Sequence, residues 1–207
     1  MDDITSRYRK FDTSLVSDAL DQHGVTGVIT DITPVSPTHA AVGRATTVRF
    51  ERVETDDTTN FPNAMFDAME PDRMLVMDSP SDLSCWGGMA SRLGAGAGVA
   101  GVVTNGRVRD ADDIRAGEFP VFSSGTTPLT GQRRMRVAAA NDPLTLDGQT
   151  VERDDIVVAD ATGVVVVPSE HAEAVAETAE SLLSEELLIG EKISNGATHD
   201  DLRDHEF

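Results

Sequence analysis

The order of its segments predicts that this chain of 207 residues folds as a single α/β domain with more than one sheet layer. Three observations carry that expectation. The stretch Gly98 to Val103, with valines interspersed among small residues, suits a strand covered on both faces and follows a small-residue helix. Between Val121 and Val167 the chain reads as a run of short strands, punctuated by Asn141-Asp142-Pro143 and Asp147-Gly148. From Ser169 onward apolar residues recur at helical spacing through Ala172, Val175, Ala179, Leu182 and Leu183. Strand–helix–strand in the middle, then strands, then one helix is not the order of a regular doubly wound sheet.

Each element has a local reason. Residues 12 to 23 form a short amphipathic helix started by Asp12 or Thr13, with Leu15, Val16, Ala19 and Leu20 on one side, and Gly24 stops it. Residues 42 to 50 alternate as a half-buried strand. A helix is expected around Asn63 to Met69, then a short apolar strand from Met74 to Met77 ending at Asp78. Ser79 to Trp86 is rich in turn formers, and a small-residue helix runs from Gly87 to about Ala95. The later strands are Val121-Phe122, Val137 to Ala140, Leu144 to Leu146, Ile156 to Ala159 and Gly163 to Val167. The charged end, from about His199 to Phe207, is expected to be loose.

Composition excludes several function classes. The net charge of −19 argues against nucleic acid, whose phosphates need a basic patch, and no such patch stands out. The basic residues are arginine except for Lys10 and Lys192. An acidic, lysine-poor chain suits a high-salt cytoplasm, where a Debye length of about 3 Å at 1 M salt screens self-repulsion; an acidic mesophilic protein is the alternative. Cys85 is the only cysteine, so no intramolecular disulfide forms and a cytoplasmic location is natural. The first residues lack an apolar signal stretch, and no run approaches membrane-spanning length. The five histidines show no i, i+4 pairing and no cysteine partner, against zinc; no nucleophile elbow is present; and Cys85 has no local signature of a reactive thiol. Gly94-Ala95-Gly96-Ala97-Gly98 follows a helix and precedes a strand, the reverse of a dinucleotide fingerprint, and there is no P-loop lysine.

Two segments carry chemistry. After the strand, Asn105-Gly106 reads as a turn whose residues tolerate positive φ, and it delivers Arg109 beside Asp110. A planar cation and a hard oxygen ligand there can bind an anionic substrate and a divalent metal side by side, or form an ordinary surface ion pair. A helix beginning at Gly87 would leave the N–H groups of Gly87, Gly88, Met89 and Ala90 without intrahelical acceptors, a site that suits a carboxylate; a tight turn before a core helix is the alternative. Trp86 is expected to pack as an anchor there.

With both segments in view, the sequence resembles the RraA-like family. The resemblance rests on Trp86-Gly87-Gly88-Met89-Ala90, on Gly98 to Gly106, and on Arg107-Val108-Arg109-Asp110. Ser17-Asp18-Ala19-Leu20, Asp155 to Asp160 and Gly163 to Pro168 add to it. It covers about residues 12–196, leaving 197–207 as a tail of one domain spanning 1–207. That family includes 4-hydroxy-4-methyl-2-oxoglutarate aldolases with oxaloacetate decarboxylase activity, and a regulator of ribonuclease activity.

The resemblance implies a three-layer β/β/α sandwich like the swivelling domain, assembled as a homotrimer or dimer of trimers with the site between subunits. Gly87, Gly88, Met89 and Ala90 would hold a pyruvoyl carboxylate, Arg109 a substrate oxygen, and Asp110 would bind Mg²⁺ or Mn²⁺. A neighbouring subunit's terminal helix would supply Glu186, or Glu185, and Asn60 is the candidate for an asparagine in the site. The implied activity is a C–C lyase releasing pyruvate from a 2-oxo acid through an enolate whose charge a metal and an arginine stabilise. A non-catalytic regulator of an RNA-degrading enzyme is the other reading. A Schiff-base route finds no well-placed lysine in Lys10 or Lys192, and a menaquinone-pathway methyltransferase finds no cofactor motif. Two departures stand out: Gly88, where many of the family's aldolases carry an acidic or bulkier residue, and Thr104-Asn105 in place of a commoner pair.

Overall fold

The computed structural model describes residues 3–53 and 61–202. In chain order the helices are α1 (Asp3–Tyr8), α2 (Thr13–Gln22), α3 (Phe61–Asp67), α4 (Gly88–Gly96), α5 (Ala111–Ala116) and α6 (Ala172–Ser194). The strands are β1 (Val28–Ile29), β2 (Thr33–Pro34), β3 (Ala41–Arg52), β4 (Arg73–Asp78), β5 (Ser84–Trp86), β6 (Gly101–Thr104) and β7 (Arg107–Val108). They continue as β8 (Val121–Ser123), β9 (Met135–Ala140), β10 (Leu144–Leu146), β11 (Gln149–Val151), β12 (Ile156–Ala159) and β13 (Val164–Val167). Among the described residues no helix is long and apolar enough to cross a membrane.

One large mixed sheet runs in the order β1-β13-β12-β3-β4-β6-β8-β2. Its centre, β3-β4-β6-β8, is parallel, and β12 and β13 flank it antiparallel. The long β3 links two partners along one edge: Ala41 to Arg44 pair with β12, and Val48 to Arg52 pair with β9 across a register shift at Arg49/Phe50. The period-two alternation of side chains then sorts the core. Met74, Val76, Val103, Val157, Ala159, Val164 and Val166 all face one central cluster, into which the β10–β11 hairpin inserts Leu144, Leu146 and Val151. Ile156, Val158, Val165 and Val167 point the other way, onto α1, α2 and α6. Leu75, Met77 and Val102 point outward onto Met65 of α3 and Ile114 of α5. The sheet therefore curls around its own interior, and a section from that interior toward α2 and α6 crosses β, β and α in turn. This is the mixed α/β fold with a second sheet layer that the sequence predicts.

Most expected elements are present, with shifted ends. The helix at 12–23 is α2, capped by Asp12, whose carboxylate accepts from Leu15 N–H, and its buried face is Thr13, Leu15, Val16, Ala19 and Leu20. The helix expected around Asn63 to Met69 runs from Phe61 to Asp67. The terminal helix opens with a 3-10 turn, Ser169–His171, and buries Ala172, Val175, Ala176 and Ala179, while Leu187, Leu188 and Ile193 stand exposed. Four corrections apply. The turn-rich segment Ser79 to Trp86 ends in a strand, β5, parallel to β7. The helices α1 and α5 form where no helix is expected. The Asn105-Gly106 turn uses no positive φ; the side chain of Asn105 holds it instead, accepting from Ser79 N–H and donating to Asp78, both at 2.8 Å. Finally, the charged end is partly packed, since His199–Leu202 forms a 3-10 turn with Leu202 buried.

Candidate active site

The parallel strands β4, β6 and β8 end side by side at Asp78, Thr104 and Ser123, and ligands of open α/β sheets gather beyond such carboxyl ends. The small β5–β7 pair lies past these ends and brings two distant stretches together: Arg109 N–H donates to the Trp86 carbonyl at 3.0 Å, so Gly87 and Arg109 become neighbours. Trp86 is buried, stacks on Phe119 at 6.0 Å between ring centroids, and donates to Ser91 Oγ at 2.8 Å. It anchors the start of α4 as expected.

Gly87 is the N-cap of α4 in extended conformation and offers no side-chain cap. A Cβ on Gly87 would lie 2.8 Å from Asp110 Oδ2 and 3.0 Å from Arg109 Cγ, so the close approach requires glycine. Asp110 caps α5 in the left-handed region, φ 55 and ψ 42, without a capping hydrogen bond of its own. Such a backbone costs about 1 kcal/mol or more for a non-glycine residue, and here it turns the carboxylate away from α5 and toward α4. Asp110 Oδ2 accepts from Gly88 N–H at 3.2 Å and lies 3.5 Å from Arg109 Nε, leaving Oδ1 uncommitted. Of the four N–H groups expected to bind an anion, Gly88 is thus already engaged, while those of Met89 and Ala90 have no intrahelical acceptor.

The cleft has a volume of ≈ 260 Å³, and Met65, Phe66, Trp86, Met89, Ala90, Arg109 and Asp110 are among its lining residues. Arg109 and Asp110 keep side-chain exposures of 46% and 42%, accessible to a ligand. Cys85 also borders the cleft, but burial pushes its thiol pKa up, and its Sγ lies 3.3 Å from Thr104 Oγ1; it is an inert wall. A second cavity, ≈ 450 Å³, lies on the other side of Arg109 and Asp110. A third, ≈ 440 Å³, sits beside α2 with Ser17, Asp18 and Thr30 in its lining and has no basic side chain to attract an oxo acid.

Gly87, Gly88, Met89, Ala90, Arg109 and Asp110 are thus brought together. Glu185 and Glu186 are not: they stand exposed on the outer half of α6 and do not line the cleft of their own protomer. Asn60 lies outside the described residues. Sequence reasoning missed Asp113, whose Cβ would lie 2.9 Å from a Cβ on Gly88 and whose carboxylate pairs with Arg92 at 3.4 Å. It also missed the threonines of the second cavity. Neither is signalled by local pattern, since both positions depend on the β5–β7 crossing.

The curled mixed sheet, with a glycine-started helix facing an Arg–Asp turn, defines an α/β protein with a small cleft lined by one arginine, one aspartate and a helix start. Residues 13–166 match the model of the family described as "RraA-like: Aldolase/RraA", and the chain belongs to that family. It is 31% identical over 179 residues to a Halalkalibacterium halodurans protein named "Putative 4-hydroxy-4-methyl-2-oxoglutarate aldolase", covering 86% of this chain and 82% of that one. It is 30% identical over 193 residues to Protein DlpA of Legionella pneumophila, covering 91% of this chain but spanning only 31% of DlpA's length. The fold is similar to that of Streptomyces coelicolor RraAS2, described as an unusual member of the RNase ES inhibitor RraA protein family. There the TM-score is 0.80 at 26% identity, with 95% of this chain and 98% of the other covered.

Proposed function

We propose that this protein is a divalent-metal-dependent C–C lyase that releases pyruvate from a 2-oxo acid, by aldol cleavage of 4-hydroxy-4-methyl-2-oxoglutarate, decarboxylation of oxaloacetate, or both. The observation that carries the reading is the placement of Arg109 and Asp110 in one cleft with the open N–H groups of α4. The names of relatives in the family support it.

The donors fit Mg²⁺ or Mn²⁺. Asp110 has one carboxylate oxygen uncommitted, and among the described residues no three His, Cys, Asp or Glu groups converge. Such a site suits a hard ion that keeps several waters and is held by one or two carboxylates, rather than zinc. Asp110 would hold it, with Glu186 or Glu185 added by a neighbouring copy. The exposed Leu187, Leu188 and Ile193 on α6, and Met89 and Leu93 on α4, support a homo-oligomer, trimer or dimer of trimers, in which α6 reaches another protomer. When bound, the ion supplies Lewis-acid polarisation of the substrate's oxygens.

The chain's own residues do the rest. The N–H groups of Met89 and Ala90, at the positive end of the α4 dipole, take the substrate carboxylate. The Arg109 guanidinium faces the 2-keto oxygen, where negative charge builds as the C3–C4 bond breaks and its electron pair delocalises into the enolate. The apolar side chains of Met65, Phe66 and Trp86 would border that carbon on one side and reduce its contact with water. Both reactions pass through the enolate of pyruvate, so one site serves both. Neither Lys10 nor Lys192 lines the cleft of its own protomer.

A second reading, a binding protein that regulates an RNA-degrading enzyme, is favoured by the likeness to RraAS2. Pyruvate release decides between them, measured in high salt on both substrates with Mg²⁺, with EDTA, and with metal but no protein. Metal-dependent release above the protein-free rate on either substrate supports the lyase. A folded protein that releases no pyruvate above that rate on either one overturns it.

A further inference from the structure

The Arg109–Asp110 pair stands between two cavities. The first is the cleft already described; the second, ≈ 450 Å³, is lined by Val108, Ala111, Thr126, Thr127 and Pro128 together with the same Arg109 and Asp110. These two residues are the lining that the cavities share. The first combines aromatic and thioether surface and open helix N–H groups with the polar side chains of Thr130 and Gln132, whereas the second has no aromatic side chain and its polar wall beyond the shared pair is Thr126 and Thr127.

The loop that carries the hydroxyls is fixed to the strand before Arg109 through its main chain. Val108 N–H donates to Gly125 O at 3.0 Å, Thr127 N–H to Val108 O at 2.9 Å, and Arg107 Nη1 to Thr126 O at 3.3 Å. Gly125 has φ +148, and a Cβ there would fall 2.9 Å from Arg107 Nη1, so the loop is built around that arginine. Thr127 Oγ1 accepts from Leu129 N–H at 3.3 Å, which leaves its own proton to donate, and Thr126 Oγ1 engages no group among the described residues. The main chain that carries these two hydroxyls is thus fixed beside the pair, which places two donors within the second cavity's lining.

We propose that this second cavity is the subsite for the departing half of an aldol substrate, a small 2-oxo acid, and that Thr126 and Thr127 are its specificity-determining residues. The proposal rests on the lyase reading of the site. In aldol cleavage the 4-hydroxyl gives up its proton to a water molecule and its carbon becomes a ketone. The C3–C4 electron pair passes into the pyruvoyl half as the enolate, which then takes a proton at C3. The departing half thus carries a carboxylate and a new keto oxygen, both hydrogen-bond acceptors. In decarboxylation the departing group is CO₂, uncharged and small, and needs no such donors. The two reactions share the first cleft and differ in their use of the second.

The test compares kcat/KM on the two substrates for the full-length parent and for Thr126→Val, Thr127→Val and the double variant. Valine is nearly isosteric, and the loop's fastening to the strand before Arg109 is by main-chain groups that the substitution keeps, although Thr127→Val also removes the acceptor of Leu129 N–H. The double variant should lose about 10-fold or more on 4-hydroxy-4-methyl-2-oxoglutarate while staying within about 2-fold on oxaloacetate, as expected for two lost hydrogen bonds to a ligand. Thr126→Ser should restore most of what Thr126→Val loses. Equal losses on both substrates, or no loss on the aldol substrate, would overturn the subsite. Parent protein inactive on both substrates would instead overturn the lyase reading, and the subsite with it. If Thr127→Val fails to fold, Thr126→Val alone decides, because its hydroxyl bonds to no other group among the described residues.

Discussion

Two helix starts in this molecule are built in opposite ways. At α2 two of the leading N–H groups are answered from within: Asp12 accepts from Leu15, and the Asp160 carboxylate takes both the N–H and the hydroxyl of Thr13 at 2.8 Å. Burial alone would raise the pKa of Asp160, but the donors from Thr13 and Thr162 outweigh it and hold this carboxyl below its usual range. Nearby, Tyr8 donates to the Ala172 carbonyl at 2.8 Å, fastening α1 to α6. At α4 the cap is a glycine, the N–H groups of Met89 and Ala90 remain open, and the nearest carboxylate comes from a strained residue on another element. A closed start serves the fold, since its donors are spent. An open start beside an arginine is a place for a ligand.

That contrast can be broken from either side. The largest effect is expected at the open start. Gly88→Val would set its Cβ against the Cβ of Asp113, 2.9 Å away, and displace α5 together with Asp110. Pyruvate release should fall by tens of fold or more, and parent-like turnover in this variant would show that the tight packing there is incidental. The closed start should answer in stability alone: Asp12→Ala should cost about 1 kcal/mol, or about 2–4 °C in Tm, with turnover unchanged well below the melting temperature. Loss of activity in proportion to that of Gly88→Val would erase the distinction.

The smallest effect is expected at the far end of the sheet. Hydrogen bonds from Arg153 hold the Glu70 carboxyl below its usual range, and those from Arg73 do the same for Asp154. Carboxyls with depressed folded pKa values contribute stability above their unfolded pKa, near 4, and lose it as the pH falls through the lower folded value. Both groups are more than a third exposed, so the contribution is modest. Arg153→Met should flatten the acid limb of a stability–pH profile below about pH 4 while leaving turnover at neutral pH alone. An unchanged acid limb would remove this pair from the account.

How much of this was legible in the sequence follows from which interactions are local. The α2 cap, its buried face, and the short apolar runs of β4, β12 and β13 announce themselves within a dozen residues, because capping and apolar patterning are short-range signals. The strands β5 and β7 are three and two residues long and exist by pairing with each other across the chain, so no window of sequence shows them. Yet that pairing assembles the site. The Arg–Asp turn and the glycine pair could be identified separately, but their contact, the space beside Gly88 taken by Asp113, and the threonines behind Arg109 could not. The helical periodicity read from the sequence ends at Leu183, and the part of α6 beyond it leaves Leu187 and Leu188 exposed in the protomer.

The most direct test of the open-site account is Asp110→Asn, with pyruvate release and thermal melting measured side by side. Asparagine is isosteric, tolerates the left-handed backbone and can still accept from Gly88 N–H, so the fold should survive while the charge is lost. We predict a Tm close to the parent's, with metal-dependent pyruvate release reduced by at least 100-fold. Parent-rate release by a folded Asp110→Asn protein would contradict the account.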